Sequence, residues 1–190
     1  MNKIISLLVV FSVFNFSCID SNLPKQRAFL RIEFPEPNYS PFEESSFPVD
    51  FYYNSGVTKI NNKNFQQLSL NYPKMNFSID LSFNKINKLD DLESNLSDFS
   101  IILDTHSKKS NGIFIREYED LNDRVFGKIY EIRGDVASPI QFYITDSTSN
   151  FMSGSLNLKS KSKYDSIFPS IQYIKNDILV LVESLSWKYK

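Results

Sequence analysis

The sequence has 190 residues, with 21 Lys and Arg against 22 Asp and Glu, which leaves a formal charge of −1. Because a nucleic-acid surface needs clustered positive charge, this balance predicts no nucleic-acid partner. The 17 Phe and 10 Tyr, with only 5 Gly, indicate a packed, β-rich core rather than a disordered chain. The length suits one domain with a substantial core.

The first residues are typical of an export signal. An almost wholly apolar run from Ile4 to Phe14 is too short for a transmembrane anchor, which needs about 20 residues. Cys18 is the only cysteine and follows the small residue Ser17, an arrangement that resembles the lipobox of bacterial lipoproteins. We therefore predict a signal peptide over residues 1–17, cleavage before Cys18, and a lipid on the Cys18 sulfur. A plain secretory signal with an unmodified cysteine is the alternative.

A tether and a proline-rich segment follow Cys18. Residues 19–26 are polar, and Ala28–Phe34 is interpreted as a short strand. Prolines at four positions from 35 to 48 favour extended, irregular backbone. We expect residues 18–48 to form a lipid-anchored tether that also wraps the domain surface, and residues 49–190 to form a single α+β domain.

Alternating and helical patterns fill the first half of this domain. The predicted strands are Val49–Tyr53, Phe65–Tyr72 and Asn76–Asn84. Turns are expected at residues 54–56 and 61–62, where Asn, Ser and Gly cluster. A helix is predicted from Lys88 to His106, with Asn87 as its cap, because leucines and Phe99 recur at steps of three and four.

Two hairpins and a final helix are predicted in the second half. The strands are Gly112–Glu119 with Arg124–Arg133, and Ile140–Thr145 with Phe151–Lys159. The helix is expected from Ser166 to Trp187, with Asp165 as its cap. Hairpins favour an α+β fold in which two helices pack on a mostly antiparallel sheet, as an α/β/α sandwich. This order of elements resembles that of the Mog1/PsbP-like proteins.

Five runs of residues carry a family resemblance. They are Leu30–Pro37, Asn71–Met75, Gln141–Thr148, Phe151–Leu156 and Tyr164–Pro169. In their order and spacing, and with Trp187 near the end of the chain, they resemble the gliding-motility lipoprotein GldD family of the Bacteroidota. The resemblance covers most of the chain from Cys18 onward.

The resemblance implies a role in gliding and in the type IX secretion machinery that supports it. The implied partners are other envelope lipoproteins and motor or secretion components, and the family is not known for enzymatic activity. Many members carry two cysteines near the strands that are residues 47–53 and 65–72 here, whereas this chain has neither. A disulfide of the family therefore cannot be transferred, and packing must replace it.

Catalytic and metal sites are not predicted. His106 is the only histidine, and Cys18 is assigned to lipid, so a metal or nucleophile site lacks partners. Glu117 and Glu119 lie two apart on a strand and are interpreted as its solvated face. We expect no catalytic residue, no metal and no cofactor.

Two segments are candidates for contact or modification. Asp146-Ser147-Thr148 resembles the O-glycan acceptor motif of exported Bacteroidota proteins, with Ser147 as the acceptor, and a plain turn is the alternative. Tyr72-Pro73-Lys74-Met75 links two strands and offers an aromatic and a Met for partner contact. A rigid turn with its aromatic packed inside is the alternative.

Together these features predict a membrane-anchored envelope lipoprotein that faces the periplasm, in the outer or inner membrane. Its expected role is that of a non-catalytic assembly or scaffold factor for gliding and type IX secretion. A periplasmic lipoprotein that binds a small ligand is the alternative, and a deep pocket lined by Phe and Tyr would favour it.

Overall fold

A computed structural model describes residues 32–44 and 46–188 of the chain. The described residues form ten strands and two helices. In chain order these are β1 (Tyr39–Phe42), β2 (Val49–Asn54), β3 (Lys59–Asn64), β4 (Gln67–Tyr72), β5 (Phe77–Lys85), α1 (Leu89–Ser107), β6 (Gly112–Asp120), β7 (Val125–Arg133), β8 (Ile140–Thr145), β9 (Asn150–Leu158), α2 (Tyr164–Glu183) and β10 (Ser186–Trp187).

The strands form two antiparallel sheets. The large sheet has seven strands in the order β3-β4-β5-β9-β8-β7-β6, and the small sheet has three in the order β1-β2-β10. Five of the six neighbouring pairs in the large sheet join strands that are consecutive in the chain, whereas the β5-β9 pair joins strands separated by α1, β6, β7 and β8. The predicted α+β fold, a mostly antiparallel sheet packed by two helices, is confirmed. The closer likeness to Mog1/PsbP proteins stays a prediction.

The two faces of the large sheet are covered unequally. On one face, α2 and β2 enclose the main core, whose largest fully buried side chains include Phe51, Phe77 and Phe142. On the other face, α1 packs a smaller cluster around Phe99 and Phe151. Seven strands about 4.8 Å apart are roughly 30 Å wide, whereas a helix with side chains covers about 10 Å. A large part of the α1 face is therefore left without a helix over it.

The strand β3 was not predicted, because its sequence is mostly polar. Residues 61–62 were expected to turn, and this prediction is wrong because both lie in β3, which pairs with β4 through Ile60 opposite Leu70. An edge strand is paired on one side only and can carry polar side chains on its exposed surface. The turn predicted at residues 54–56 is confirmed at Ser55 and Gly56, which follow Asn54 at the end of β2.

Neither predicted helix cap is correct, although both helices exist. Lys88 precedes α1, and the Asp91 carboxylate accepts the backbone N–H groups of Asn87 and Lys88 at 2.9 and 3.0 Å. Asp165 lies inside the first turn of α2. The Tyr164 N–H at that helix start donates to Asp135 Oδ1 at 2.8 Å, so an acceptor from another loop does the capping.

The last helix is shorter than predicted. It ends at Glu183, and the Ser184 hydroxyl donates to Val180 O at 2.6 Å while it accepts the Tyr52 N–H at 2.8 Å. The chain then leaves the helix to form β10 against β2. Trp187, expected in the helix, lies in this short strand.

The start of the described chain differs from the prediction. Residues 28–31 of the predicted strand Ala28–Phe34 lie outside the described residues, and residues 32–34 are not in a strand. Within the segment expected to wrap the domain, β1 pairs with β2, and Phe42 and Phe47 are buried in the main core. Cys18 and the signal peptide lie outside the described residues.

Gly154 provides a test of the packing between β9 and β8. A Cβ at this position would lie 2.1 Å from Cζ of Phe142, whose side chain is fully buried. We expect Gly154→Ala to lower the free energy of unfolding by about 1–3 kcal/mol through overpacking. Urea unfolding followed by the fluorescence of Trp187 measures this change.

Gly56→Ala is the matched control. A Cβ at Gly56 would meet its nearest neighbour at 3.6 Å, an ordinary contact, so a change of only about 0.5 kcal/mol is expected. Equal losses of stability in the two variants would contradict the packing argument.

Candidate functional site

A buried carboxylate joins the small sheet, the large sheet and α2. Asp177 is 2% exposed. Its Oδ1 accepts the Tyr39 hydroxyl at 2.8 Å, and its Oδ2 accepts the Tyr72 hydroxyl at 3.0 Å. The Asn54 amide donates to both oxygens at 3.2 Å and to the Tyr173 hydroxyl at 3.0 Å. We call these five side chains the Asp177 network.

Neutral donors, rather than a cation, stabilise this carboxylate. No salt bridge to Asp177 is found among the described residues. Burial raises the pKa of Asp177, although the bonds from Tyr39, Asn54 and Tyr72 oppose that shift. Burial, together with the adjacent carboxylate, also raises the pKa of the Tyr39 and Tyr72 hydroxyls. Asp177, Asn54 and Tyr72 are buried, whereas Tyr39 and Tyr173 are only partly buried at the edge of the network. A carboxylate enclosed in this way by neutral donors is interpreted as structural.

One residue in the sequence of α2 indicates that such a network exists. Asp177 falls in the apolar stripe of α2, one residue before Ile178 and three after Ile174, and both isoleucines are fully buried. A charged residue in such a stripe needs partners, because an unpaired buried charge is strongly unfavourable. Its partners Tyr39, Asn54 and Tyr72 are distant in sequence, so the pattern does not identify them.

A polar groove lies on the part of the α1 face that the helix leaves open. Its floor is formed by alternate residues of four neighbouring strands. They are Ser69, Asp80, Ser82, Gln141, Ser153 and Ser155. Phe99 and Ile102 of α1 form an apolar wall. The groove between this wall and the floor has a volume of about 250 Å³. We call this the serine groove.

The floor of the serine groove is a continuous row of cross-strand neighbours. Ser69 faces Asp80, Asp80 faces Ser155, and Ser155 faces Gln141 in the strand registers. The Asp80 carboxylate accepts the hydroxyl of Ser69, the hydroxyl of Ser78 at 3.2 Å and the amide of Asn157 at 2.8 Å. These bonds hold the carboxylate in a fixed orientation on the floor.

Gln141 is the unusual member of the row. Its side chain is 1% exposed, yet neither amide atom has a hydrogen-bond partner among the described residues. A buried polar group without a partner costs about 1–3 kcal/mol, and such groups are rare in folded proteins. The sequence does not indicate this unpaired amide, because residues 140–145 have an ordinary strand pattern.

A second, larger cleft lies where α1 ends and α2 begins. It encloses about 690 Å³ and is lined by Lys108, Lys109, Lys161, Lys163 and His106, with Asp135 as its acidic residue. Excess positive charge in a concave surface attracts anions. His106, expected at a helix end, is half-buried in this lining.

The turn expected to contact a partner is partly internal. Tyr72 is 1% exposed and bonded to Asp177, which matches the alternative of a turn with its aromatic packed inside. Pro73 and Lys74 are exposed, and Met75 packs partly against the main core. Partner contact through Tyr72, Pro73, Lys74 and Met75 stays a prediction.

Ser147 lies at the tip of the β8–β9 turn. It is exposed and has a φ of 65°. The adjacent Asp146 carboxylate is turned inward, where its Oδ1 accepts the backbone N–H groups of Thr148, Ser149 and Asn150 at 2.7–2.9 Å. Although burial opposes it, this set of donors lowers the pKa of Asp146. Modification of Ser147 stays a prediction.

The described residues offer no cluster suited to a metal. Within residues 32–44 and 46–188, no group of three or more His, Cys, Asp or Glu is placed to hold an ion. Glu117, on the edge strand β6, forms an exposed salt bridge with Lys128 at 2.9 Å. Neither helix of the described chain is long and apolar enough to cross a membrane.

The edge strand β6 exposes consecutive apolar residues. Ile113, Phe114 and Ile115 are 40%, 52% and 59% exposed. β6 pairs only with β7, so its outer edge carries unpaired backbone groups. An exposed apolar edge strand favours association with another chain. We call these three residues the β6 patch.

Tyr72→Phe tests the Asp177 network. Loss of a hydrogen bond to a buried carboxylate is expected to lower the free energy of unfolding by about 1.5–3 kcal/mol at pH 7. Because the pKa of Asp177 is raised by folding, the native state binds the proton more tightly, and this group's contribution to stability falls as the pH rises. The variant raises that pKa further, so its deficit should shrink as the pH is lowered.

Urea unfolding at several pH values measures this deficit. Tyr52→Phe is the control, since Tyr52 lies on β2 with 47% of its side chain exposed, and it should change stability by less than about 0.5 kcal/mol. A Tyr72→Phe deficit that does not vary with pH would argue against the network as described.

Comparisons with known proteins give one match. The family model described as gliding motility lipoprotein GldD matches residues 20–187, which is nearly the whole chain. No curated protein and no solved structure matches. The chain therefore belongs to the gliding motility lipoprotein GldD family, a membership that implies a lipoprotein anchored to a membrane of the cell envelope and a role in gliding motility.

Proposed function

We propose that this protein is a non-catalytic assembly or scaffold factor for gliding motility and type IX protein secretion. It acts from a lipid on Cys18 and faces the periplasm, with residues 18–48 as the lipid-anchored tether and wrapping segment. The observation that carries the proposal is the family match over residues 20–187. The proposed partners are other envelope proteins of the gliding and type IX secretion machinery.

The β6 patch supports a scaffold role. A scaffold needs a surface on which another chain can bury apolar area, and the β6 patch offers apolar side chains beside a free strand edge. The Arg133 guanidinium lies 4.0 Å from the centre of the Phe114 ring, so a cation borders the apolar surface. An apolar centre with a polar rim is the usual composition of a protein interface.

The alternative of an aromatic ligand pocket has less support. Its aromatic side chains would have to line a cavity, but Phe47, Phe51, Phe77 and Phe142 are fully buried in the main core. The 690 Å³ cleft and the serine groove are instead lined mainly by polar and charged residues.

Gene deletion with complementation tests the proposed role. Deletion should stop colony spreading and the secretion of adhesins, and the wild-type gene should restore both. Cys18→Ser should fail to restore them and should lose the acyl mass and the membrane association of the protein, because two or three acyl chains hold a protein on a bilayer. Normal spreading and secretion in the deletion strain would refute the proposal.

Ile115→Lys tests the β6 patch. A charge at the centre of an apolar interface should abolish complementation, while the melting temperature of the purified protein should change little because Ile115 is 59% exposed. Ile101→Lys is the control, since Ile101 on α1 is 62% exposed and lies outside the patch. Full complementation by Ile115→Lys would remove the patch from the proposal.

A further inference from the structure

We propose that the serine groove binds a neutral saccharide. The inference rests on the orphaned Gln141 amide, on the row of hydroxyl groups beside it and on the apolar wall above them. It goes beyond the scaffold role and does not depend on it.

The first step is the unpaired amide. Gln141 is 1% exposed and lines the groove, and it can donate two hydrogen bonds and accept two. Neither amide atom has a partner among the described residues. Leucine would fill a similar volume without this penalty. An unpaired amide on a cavity floor is suited to a ligand that both donates and accepts hydrogen bonds.

The second step is the chemistry of the floor. Ser82, Ser153 and Ser155 carry hydroxyl groups, each of which can donate and accept. Asp80 supplies fixed acceptor oxygens, held by Ser69 and Asn157. Ligand hydroxyl groups match the serine hydroxyls and the Gln141 amide, because each ligand hydroxyl can both donate and accept a hydrogen bond. A phosphate or carboxylate ligand would instead be repelled by Asp80.

The third step is the arrangement of the row. Ser69, Asp80, Ser155 and Gln141 face one another across β4, β5, β9 and β8. Directly opposed residues are about 5 Å apart, so the row presents polar groups at regular intervals over about 15 Å. A ligand with several hydroxyl groups spread over one face can engage several of them together.

The wall distinguishes a saccharide from a purely polar ligand. Phe99 and Ile102 border the groove, and Ile102 is 52% exposed. A pyranose ring has an apolar C–H face as well as hydroxyl groups, so it can pack on this wall while its hydroxyl groups meet the floor. Ligand sites commonly combine apolar walls with a few placed polar groups.

The backbone of the groove argues against an extended peptide. The four strands of the floor are internal to the large sheet, with neighbours on both sides. Their backbone N–H and C=O groups are used in the sheet, so a peptide cannot add as another strand. Only side chains of the groove are therefore left to form hydrogen bonds with a ligand, and this favours a saccharide over an extended peptide.

Calorimetric titration of the detergent-solubilised mature lipoprotein tests the proposal. The probes are chitotriose, maltotriose, xylotriose and mannotriose, with a neutral Gly-Ser hexapeptide as the competing class. We expect at least one trisaccharide to bind. Absence of binding by all four up to about 10 mM, a limit that includes weak carbohydrate affinities, would overturn the proposal, and so would binding of the hexapeptide alone.

Gln141→Leu separates binding from stability. We expect it to weaken saccharide binding at least tenfold and to raise the melting temperature by about 2–4 °C, since an unpaired buried amide is removed. Gln172→Leu on α2, at the opposite face of the sheet, should leave binding unchanged. Unaltered affinity in Gln141→Leu would exclude the groove as the site.

A second variant covers the case in which Gln141→Leu does not fold. Ser82 and Ser153 are half-buried cross-strand neighbours on the floor, and replacement of both by Ala removes two hydroxyl groups without adding volume. The double variant Ser82→Ala/Ser153→Ala should also weaken binding at least tenfold. Retained affinity in this folded variant would overturn the proposal.

Discussion

The burial of one carboxylate organises the main core. Asp177 lies among apolar side chains of α2, and its free energy in that position depends on the hydroxyls of Tyr39 and Tyr72 and on the amide of Asn54. These donors come from β1, β4 and β2, so a single buried charge requires the two sheets and the helix to meet in one arrangement. Apolar contacts alone tolerate alternative packings, whereas a buried charge without its donors is strongly unfavourable. The network therefore specifies how the small sheet sits on the main core.

The opposite face of the large sheet is only partly covered and is largely polar. There α1 contributes an apolar cluster around Phe99, and the strands that α1 does not cover carry serines, Asp80 and the buried Gln141. The width of a seven-stranded sheet exceeds what one helix can cover, so this polar surface is a consequence of the architecture. Its hydroxyl groups are satisfied at little cost by solvent, but the orphaned amide of Gln141 is not explained by architecture alone. One face of the large sheet is thus covered and carries the Asp177 network. The other face is partly uncovered and carries the Gln141 amide, which has no hydrogen-bond partner among the described residues.

The sequence predicted the elements better than it predicted their partners. Period-two and helical patterns identified β5, both hairpins and both helices because apolar burial has a local signature. The polar strand β3 was not predicted, since an edge strand need not alternate apolar and polar residues. Both helix caps were predicted wrongly, because the carboxylates of Asp91 and Asp135 accept the backbone N–H groups at the helix starts. The Asp177 network and the serine groove join residues far apart in sequence. A single charged residue in a helix stripe can be noticed, but the register that places Gln141 beside Ser155 and Asp80 exists only in the folded sheet.

The Asp177 network also connects the proposed anchor to the core. The chain that leads from Cys18 enters the described structure beside α2, where the Phe34 ring stacks on Tyr173 at 4.8 Å and the Tyr173 hydroxyl donates to Pro35 O at 2.9 Å. Tyr39 then bonds Asp177 itself. Among the contacts of the described residues, these are the nearest to Cys18 along the chain. These contacts join the first described residues to a hydrogen-bonded network in the core rather than to a peripheral strand.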